Sequence, residues 1–592
     1  MRILNRYLIY LLVGLLVSCG TKKSFDSDIT QSELFDHIDF LASDSLAGRK
    51  PGTPFDRVAA KYIKDIMEQS GLKLLAKNGY QFFEYIDHQD VGSNNFMSVN
   101  KQSFHIGDDY NVMAFSSNDT LAAAVIFVGY GFDIAEDTLI WNDYSTVNVS
   151  GKWALILRGH PDEENEESLL EDYASDRYKA MLAKDQGAAG VILVSGKKHD
   201  PKDELVSAKN KTFDIGIPVV QVSRNLANSI LSASDNSIYE IEQKIINDHK
   251  PYSFIAGANV CARTDIVKKK RNSQNIVGMI EGKHPELKNQ YVVIGAHYDH
   301  IGMGGEGTSS RMPDTLAVHN GADDNASGVA AILEIGQKFF KNQPDRSVVI
   351  VAFGAEELGL LGSKFFVDNP LFPIDSISAM INIDMLGRLD EEQTLQVGGY
   401  KTSLEADTTL NKVNDDYNLN LALAPQGYGP SDHASFYSRN VPVLFFSTGP
   451  HTDYHTPNDD ISMINFEGLV KTSNFIYDVA SQIANMPKRL AFQEAGPAAP
   501  SSRHGNELKV RFGIMPDVSG VENNGLRVLA VNANQPAALA GLEKGDIITA
   551  INGKKIKNIH DYMYRLQDLE PGGTVSVEFL RNDETKVVLL QL

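Results

Sequence analysis

The segment at residues 291–300 reads YVVIGAHYDH, an apolar run that passes directly into residues able to bind a metal ion. Similar apolar runs follow at 346–357 (RSVVIVAFGAEE), 377–386 (ISAMINIDML) and 441–449 (VPVLFFSTG). Segments with helical spacing lie between and after them, one beginning at Gly328 and one passing through Phe475 and Val479. Strands that alternate with helices predict an α/β fold with a mostly parallel sheet flanked by helices.

Polar residues follow the predicted strands at the point where each strand ends. They are His297, Asp299 and His300 after the first strand, Glu356 and Glu357 after the second, Asp384 after the third, and His455 beyond the fourth. Open α/β sheets bind ligands in the crevice outside the carboxyl ends of their strands. One such residue alone would be an ordinary loop residue, but several that converge on one sheet edge predict a site.

The stretch at 319–328, HNGADDNASG, places two adjacent carboxylates, Asp323 and Asp324, directly before a helix. One explanation is capping, because Asp, Asn and Ser satisfy free backbone N–H groups at a helix start and their charge suits the helix dipole. The other explanation is metal binding. This stretch alone favours capping, so the choice depends on the rest of the chain.

The residue types in these clusters suit zinc. Zn²⁺ binds neutral imidazole and carboxylate oxygen, and two zinc ions roughly 3.5–4 Å apart need one carboxylate that reaches both. A general base must hold the attacking water without becoming a ligand, and the adjacent Glu356 and Glu357 can divide these two roles. Asp299 follows His297 closely enough to orient the second nitrogen of its imidazole.

Six motifs between residues 295 and 459 occur in a fixed order: GAHYDHIG, NGADDNASG, AEELGLLGS, NIDMLGR, SDHASF and DYHTPND. In order and spacing they resemble the zinc aminopeptidases of the M28 family. The resemblance implies a zinc exopeptidase fold and two Zn²⁺ ions per chain. It places one zinc on His297, Asp324 and Asp384, and the other on Glu357 and His455 with Asp324 bridging. Asp323 and Asn325 then keep the capping or supporting roles.

The resemblance also assigns residues around the metals. Glu356 matches the general base, Asp299 the carboxylate that orients a histidine, and Tyr428 a tyrosine that stabilises the tetrahedral intermediate. Family members carry a cis peptide directly after the bridging aspartate, so Asp324–Asn325 is expected to be cis. The other histidines receive lesser roles: support or packing for His300 and His433, a loop position for His319, and for His451 that of a less favoured alternative to His455.

Two further regions resemble known modules. Residues 111–255, with VGYGF and DQGAAGVILV, resemble a PA domain, which in this family is often inserted as a lid that shapes substrate access. Residues 507–592 resemble a PDZ domain, where Phe512, Gly513 and Ile514 fit the loop that binds the C-terminal carboxylate of a peptide or protein partner. Interdomain packing is the alternative role for this module. The peptidase domain is then expected at 25–110 and 256–490, with a linker at 491–506.

The N-terminal residues differ from the rest of the chain. Arg2 and Arg6 precede the apolar run LIYLLVGLLV, which is too short for a stable membrane anchor and fits a signal peptide over residues 1–19. The residues ending at Cys19 resemble the lipobox of bacterial lipoproteins, which implies export and a lipid anchor in a membrane of a bacterial cell envelope. The second cysteine, Cys261, is expected to be a buried, small apolar residue.

Composition limits the partners. The 592-residue chain has 55 Lys and Arg against 76 Asp and Glu, a net charge of -21, which argues against nucleic acid or an anionic membrane surface as the main partner. The leading hypothesis is a two-zinc aminopeptidase acting on peptide N-termini. Alternatives within the resemblance are a carboxypeptidase or dipeptidase and a one-zinc glutaminyl cyclase. The alternative outside it is a peptide-binding scaffold without activity.

Overall fold

A computed structural model describes residues 28–136, 139–165, 167–206, 212–234, 236–495, 509–517, 524–532, 535–567 and 569–592. The predicted signal peptide, its Cys19 and most of the predicted linker lie outside these described residues. The described residues divide between two compact units, the first within Met1–Phe83 and Ser273–Gly496, the second within Glu84–Asn272 and Pro497–Leu592.

The described strands are numbered in chain order. They are β1 Lys73–Leu74, β2 Tyr80–Val91, β3 Phe96–Val99, β4 Gln102–Phe104, β5 Tyr110–Val112, β6 Thr120–Val128, β7 Asp133–Glu136, β8 Leu139–Asn142, β9 Trp153–Leu157, β10 Gly190–Val194, β11 Val219–Val222, β12 Ser253–Arg263, β13 Ile266–Ile280, β14 Tyr291–His297, β15 Ser347–Phe353, β16 Ile377–Ile383, β17 Thr394–Gly398, β18 Asn420–Ala424, β19 Val443–Ser447, β20 Ile514–Pro516, β21 Leu526–Val531, β22 Ile547–Ile551, β23 Lys554–Lys555, β24 Thr574–Arg581 and β25 Glu584–Gln591.

The α-helices are numbered in the same way. They are α1 Gln31–Leu41, α2 Pro54–Gln69, α3 Asp176–Asp185, α4 Arg224–Leu231, α5 Ile238–Asp248, α6 Gly328–Lys341, α7 Leu361–Asp368, α8 Ala406–Tyr417, α9 His433–Tyr437, α10 Phe466–Asn485, α11 Pro536–Leu539 and α12 Ile559–Gln567. Within the described part of the chain, no helix combines the length and the apolar character needed to cross a membrane.

The sheet of the first unit has the strand order β1–β13–β15–β14–β16–β19–β17–β18, with β2 paired to β13. Its centre, β15–β14–β16–β19, is parallel throughout. Antiparallel pairs flank this centre, β13 with β15 on one side and β17 with β19 on the other. The parallel centre consists of the four apolar runs identified in the sequence, so the predicted α/β fold is confirmed, with mixed edges.

Helices cover both faces of this sheet because the central strands are buried on both sides. Along β15, Val348 and Ile350 belong to the core that includes Ile332 of α6. On the opposite face of the same strand, Phe353 packs against Phe366 of α7 with ring centroids 6.1 Å apart. A strand buried in this way reads as a continuous apolar run, and its carboxyl end is left as the place for polar residues.

The second unit contains a sheet of order β4–β3–β12–β6–β9–β10–β11–β5, whose centre from β6 to β11 is parallel. Its extent differs from the expected insertion at 111–255. Strands β3 and β5 pair with β12 and β11, so residues from Glu84 to Asn272 belong to this unit. Strand pairing sets the border here, and it does not follow the change in hydrophobic pattern. Cys261 lies on β12 and is only partly buried, unlike the expected core position.

The C-terminal part of the second unit is a β-rich module. Strands β20, β21, β22, β24 and β25 are neighbours in this order, and β23 pairs with β22. Helix α12 packs on the previous module through Tyr564, whose ring lies 5.1 Å from that of Tyr178 of α3. Arg565 forms an ion pair with Asp185 at the end of the same helix α3. The two modules therefore share a packed contact, as the interdomain alternative anticipates.

Candidate metal centre

Titratable side chains meet at the carboxyl ends of the central strands of the first unit. His297 is the last residue of β14, Glu356 and Glu357 follow β15, and Asp384 directly follows β16. The remaining two come from loops: Asp324 from a π-helical turn, Ala322–Ser327, before α6, and His455 from the loop after β19. The convergence of these residues at one sheet edge follows from the parallel arrangement.

The first group able to hold a metal consists of His297, Asp324 and Asp384. The Nε2 atom of His297 lies 3.2 Å from Oδ1 of Asp324 and 3.3 Å from Oδ1 of Asp384. All three residues were assigned to one zinc by the family resemblance. The geometry thus gathers three donors and leaves room for further coordination.

The second group consists of His300, Asp324, Glu357 and His455. The Nε2 atom of His455 lies 3.2 Å from Oδ2 of Asp324 and 3.2 Å from Oε2 of Glu357. Asp324 therefore turns one carboxylate oxygen to each group. His300, which the sequence assigned to support or packing, is a member of this group.

The spacing of the donor atoms suits zinc. A tetrahedral Zn²⁺ with bonds of about 2.0–2.1 Å has ligand atoms roughly 3.3–3.4 Å apart. The nitrogen-to-oxygen distances from His297 to its two carboxylates, 3.2 and 3.3 Å, are close to this value. Imidazole and carboxylate are also the donors that zinc accepts. The residues present thus fit two zinc ions that share Asp324.

The ligand carboxylates are held in the charged form. Burial acts to raise the pKa of Asp324, but His300, His297 and His455 outweigh it and hold this pKa well below its ordinary value. Burial and the charge of Asp324 act to raise the pKa of Glu357, yet His300 and His455 lower it to about 2. Both side chains are therefore ready to bind a cation.

Glu356 differs from Glu357 both in its position and in the direction of its pKa shift. It belongs to neither group, and its Oε2 lies 4.0 Å from Nε2 of His297. Burial raises the pKa of the Glu356 carboxyl well above its ordinary value. The nearby carboxylates of Asp384 and Asp432 raise it further, while His297 acts in the opposite direction. Since cations in the adjacent groups would offset the crowded negative charge, the direction of the shift does not oppose a base role.

Asp299 is placed differently from the role that the resemblance implies. The Nδ1 atom of His297 faces the backbone carbonyl oxygen of Asp299 at 3.2 Å. The Asp299 carboxylate instead accepts hydrogen bonds from the backbone N–H groups of Glu356 at 3.0 Å and Glu357 at 3.3 Å. Burial raises the pKa of Asp299 to about 8. Asp299 thus contacts His297 through its main chain and holds the turn with the two glutamates through its side chain.

The turn before α6 contains the cis peptide that the resemblance predicts, at Asp324–Asn325. The Asn325 side chain accepts from the backbone N–H of Gly328 at 3.0 Å, which caps α6, and donates to the carbonyl of Ile383 at 2.9 Å. Asp323 accepts from Ser327 Oγ at 2.9 Å. The neighbours of Asp324 thus make the contacts that the capping explanation expects, and Asp324 is left to the two groups that could hold a metal.

Other predicted site residues lie outside the two groups. Tyr428 is largely buried and packs edge-on against Tyr437, with ring centroids 4.7 Å apart. His433 stacks on Phe445 at 4.6 Å, and His451 lies 3.3 Å from Oδ2 of Asp323. The remaining predicted loop histidine, His319, is fully buried and bonds to Ser310 Oγ at 2.9 Å.

Arg49 supports the centre and was not identified from the sequence. Its guanidinium is almost fully buried and donates to four backbone carbonyls, those of Leu41, Tyr298, Asn320 and Gly321, at 2.6–3.0 Å. Burial lowers its pKa to about 10, so the group stays charged at neutral pH. Arg49 thereby joins the two loops that carry His297, His300 and Asp324.

The loop predicted to bind a carboxylate in the C-terminal module leads directly into β20. Phe512 is buried with its ring 5.7 Å from that of Tyr562 on α12, and Ile514 begins β20. Gly513 has φ +77°, and a Cβ there would lie 2.2 Å from the side chain of Gln535, so glycine is required. Among the described strands, β20 is an edge strand of its sheet.

Comparison with known families agrees with this geometry. Residues 275–480 match Peptidase family M28, residues 117–230 match the PA domain, and residues 512–592 match the PDZ domain. Residues 275–480 therefore resemble the peptidase domains of the M28 family. The predicted PA and PDZ modules are confirmed by the same matches.

Individual relatives are similar at a modest level. Aminopeptidase YwaD of Bacillus subtilis (strain 168) is 27% identical over 347 residues, which cover 56% of this chain and 62% of that protein. An aminopeptidase of Pseudomonas aeruginosa (strain UCBPP-PA14) is 25% identical over 358 residues, 59% of this chain and 56% of its own. The chain thus spans less than two thirds of either relative.

A solved structure of an aminopeptidase from Aneurinibacillus sp. strain AM-1 is 21% identical, covers 78% of this chain and 96% of its own, and has a TM-score of 0.43. This level of structural similarity carries no argument about function. The resemblance to the M28 family rests on the match over residues 275–480.

Proposed function

We propose that this protein is a two-zinc aminopeptidase that removes residues from the N-termini of peptides. The observation that carries the proposal is the position of Asp324, which offers Oδ1 to the group of His297 and Oδ2 to the group of His455, each at 3.2 Å. A carboxylate shared in this way is what a pair of metal ions requires. The family match at 275–480 and the aminopeptidases among the relatives support the same reaction class.

The mechanism assigns a separate task to each side chain. Bound zinc would supply Lewis acidity and lower the pKa of water towards ~7. Glu356, beside the first group but outside it, takes a proton from the attacking water and passes it to the leaving amine. The Asp299 carboxylate fixes the backbone of Glu356 and Glu357, so the base and the ligand keep distinct positions.

Two arginines near the centre are already engaged by other groups. A carboxypeptidase needs arginines free to bind the substrate carboxylate. Arg388 is engaged by Asp453 at 3.4 Å and Asp459 at 3.2 Å, and Arg49 by backbone carbonyls. Neither arginine is therefore available to a substrate C-terminus.

The test uses one peptide in three forms: free, N-acetylated and C-terminally amidated. We expect release of the N-terminal residue from the free and amidated forms, no release from the acetylated form, loss of activity with a chelator, and recovery with Zn²⁺. Cleavage of the acetylated form at the same rate would reject the aminopeptidase assignment. A peptide beginning with Gln separates the cyclase alternative, because a cyclase yields a pyroglutamyl N-terminus instead of free Gln.

We also propose roles for the remaining segments. The order at Phe512, Gly513 and Ile514 and the edge position of β20 support capture of a peptide or protein C-terminus by strand addition. The lipobox-like sequence at Cys19 supports lipid attachment at a bacterial cell envelope membrane. Mass spectrometry of the mature N-terminus would test the second role, and titration with C-terminal peptides the first.

A further inference from the structure

The family resemblance assigns His300 no ligand role, yet its imidazole lies inside the second group. It is completely buried. Its Nδ1 atom is 2.8 Å from Oε1 of Glu357 and 3.8 Å from Oδ2 of Asp324. Its ring meets the ring of His455 edge-on, with centroids 5.6 Å apart. His300 thus faces the same space as the three expected ligands of this group.

A hydrogen bond does not account for this position. Among the described residues neither ring nitrogen of His300 has a hydrogen-bond partner, and Oε1 of Glu357 has none either. The distance between Nδ1 and Oε1 is short enough for a hydrogen bond, but the direction of the ring N–H misses the oxygen. Buried polar atoms without partners are rare, and two that face one point indicate a shared ligand.

We infer that His300 is a fourth protein ligand of the second metal, so that the two sites of the centre differ. The inference rests on the proposed two-metal function. The second site would be held by His300, Asp324, Glu357 and His455, and the first by His297, Asp324 and Asp384. Four protein ligands close a zinc site, whereas three leave a position open.

The position of the general base agrees with this asymmetry. Glu356 lies beside His297 of the three-ligand group, with Oε2 of Glu356 4.0 Å from Nε2 of His297. The base is therefore next to the group that has an open position. The four-ligand site retains its metal more firmly, and the three-ligand site is the one that exchanges metal and takes up water.

The test compares metal binding by His300→Asn and wild type, using Co²⁺ as the probe for metal-free full-length protein. An Asn side chain can place an N–H donor near the position of Nδ1, which offers Glu357 a hydrogen bond but removes the imidazole ligand. We expect wild type to bind two Co²⁺ ions and the variant to bind one of them more weakly by more than the roughly 10–100-fold that loss of an outer-shell partner costs. His433→Asn is the matched control, because His433 is a buried imidazole on Phe445 outside both groups.

A second variant supplies a signal that only a ligand can give. In His300→Cys a thiolate can bind the metal, and a cobalt–thiolate bond adds an intense charge-transfer band in the near ultraviolet. We expect this band with His300→Cys. Full two-metal affinity in His300→Asn together with no such band in His300→Cys would overturn the inference.

The outcomes for the two proposals are distinct. A wild-type protein that binds fewer than two metals or cleaves no free peptide contradicts the proposed function itself. A wild type with two metals and activity, but with no effect in either His300 variant, contradicts only the fourth ligand. If His300→Asn does not fold, as judged by circular dichroism, the band in His300→Cys decides the matter.

Discussion

The Asp459 carboxylate accepts a hydrogen bond from the backbone N–H of Asp324, with Oδ2 2.9 Å from the nitrogen. The same carboxylate accepts from the N–H of Asp323 at 3.0 Å and pairs with Arg388 at 3.2 Å. These contacts hold the main chain of the residue that both metal groups share. Asp459 is therefore a positioning residue for the whole centre.

Replacement of Asp459 by Asn should weaken metal retention. The amide keeps one oxygen acceptor but loses the charge that pairs with Arg388 and that favours two N–H donors. We expect a 10–100-fold loss in metal affinity, a size typical of supporting residues around metal ligands. Metal content after dialysis measures the effect. Asp460→Asn is the control, since Asp460 caps a short turn through the N–H of Ser462, and equal retention by both variants would contradict the prediction.

Substitution of Glu356 should affect catalysis, and substitution of the adjacent Glu357 should affect metal binding. We expect Glu356→Gln to retain both metals and to lose turnover by about 10²–10⁴-fold, because only proton transfer is removed. Glu357→Gln should lose metal from the second group, because Glu357 faces His455 at 3.2 Å. Metal analysis and peptide cleavage measured on the same samples distinguish the two. The assignment of the base fails if Glu356→Gln keeps wild-type turnover.

Arg49→Lys should destabilise the first unit in spite of the retained charge. A lysine ammonium cannot reach four carbonyls that are arranged around a planar guanidinium, so some acceptors lose their donor. We expect the free energy of unfolding of this unit to fall by about 3 kcal/mol. Calorimetric unfolding should show a lower transition temperature. Arg57→Lys, at an exposed position of α2, should change nothing measurable.

The buried amine of Lys179 should make the free energy of unfolding of the second unit depend on pH. Its ammonium is fully buried, donates to the carbonyl of Leu157 at 2.8 Å and lies 4.8 Å from the ring centroid of Phe132. Burial lowers its pKa to about 7, well below the value of about 10.4 in an unfolded chain. Between these values the unfolded state binds more protons, so this residue makes stability rise as the pH rises from about 7 to about 10.

The difference between wild type and Lys179→Met isolates that contribution. Chemical unfolding at several pH values should show the rise in wild type reduced in the variant. Lys152→Met serves as the control, because Lys152 is not fully buried and donates to the carbonyl of Asn148 at the surface. A pH profile in Lys179→Met that runs parallel to wild type would show that the buried amine does not titrate in this range.

The fold and most residues of the two groups that could hold a metal were predictable because their signals are local. A parallel strand buried on both faces is a continuous apolar run, and each ligand of the first group lies in a motif next to such a run or next to a helix start. The single stretch at 319–328 did not reveal both roles by itself. Asp324 belongs to both groups that could hold a metal, while the Asn325 side chain accepts from the first N–H of α6, so the stretch divides between the two explanations by residue.

The supporting residues were not predictable for a physical reason. The carbonyl partners of Arg49 on the metal-binding loops lie 249, 271 and 272 residues away in sequence. Arg49 is a single arginine in the polar loop SDSLAGRKPGTPFD, and no periodic pattern or motif spacing there predicts such contacts. The same holds for the border at Glu84, which depends on strand pairing between distant segments.

The contact between α12 and α3 determines how truncated forms of this chain should behave. Tyr564 belongs to the same apolar cluster as Tyr178 and Met181 of the preceding module. A fragment cut at the border suggested by sequence, near residue 507, would expose that ring to water and leave Arg565 without Asp185. Truncation at this border therefore removes packing from both modules, and a loss of stability in either fragment is the expected result.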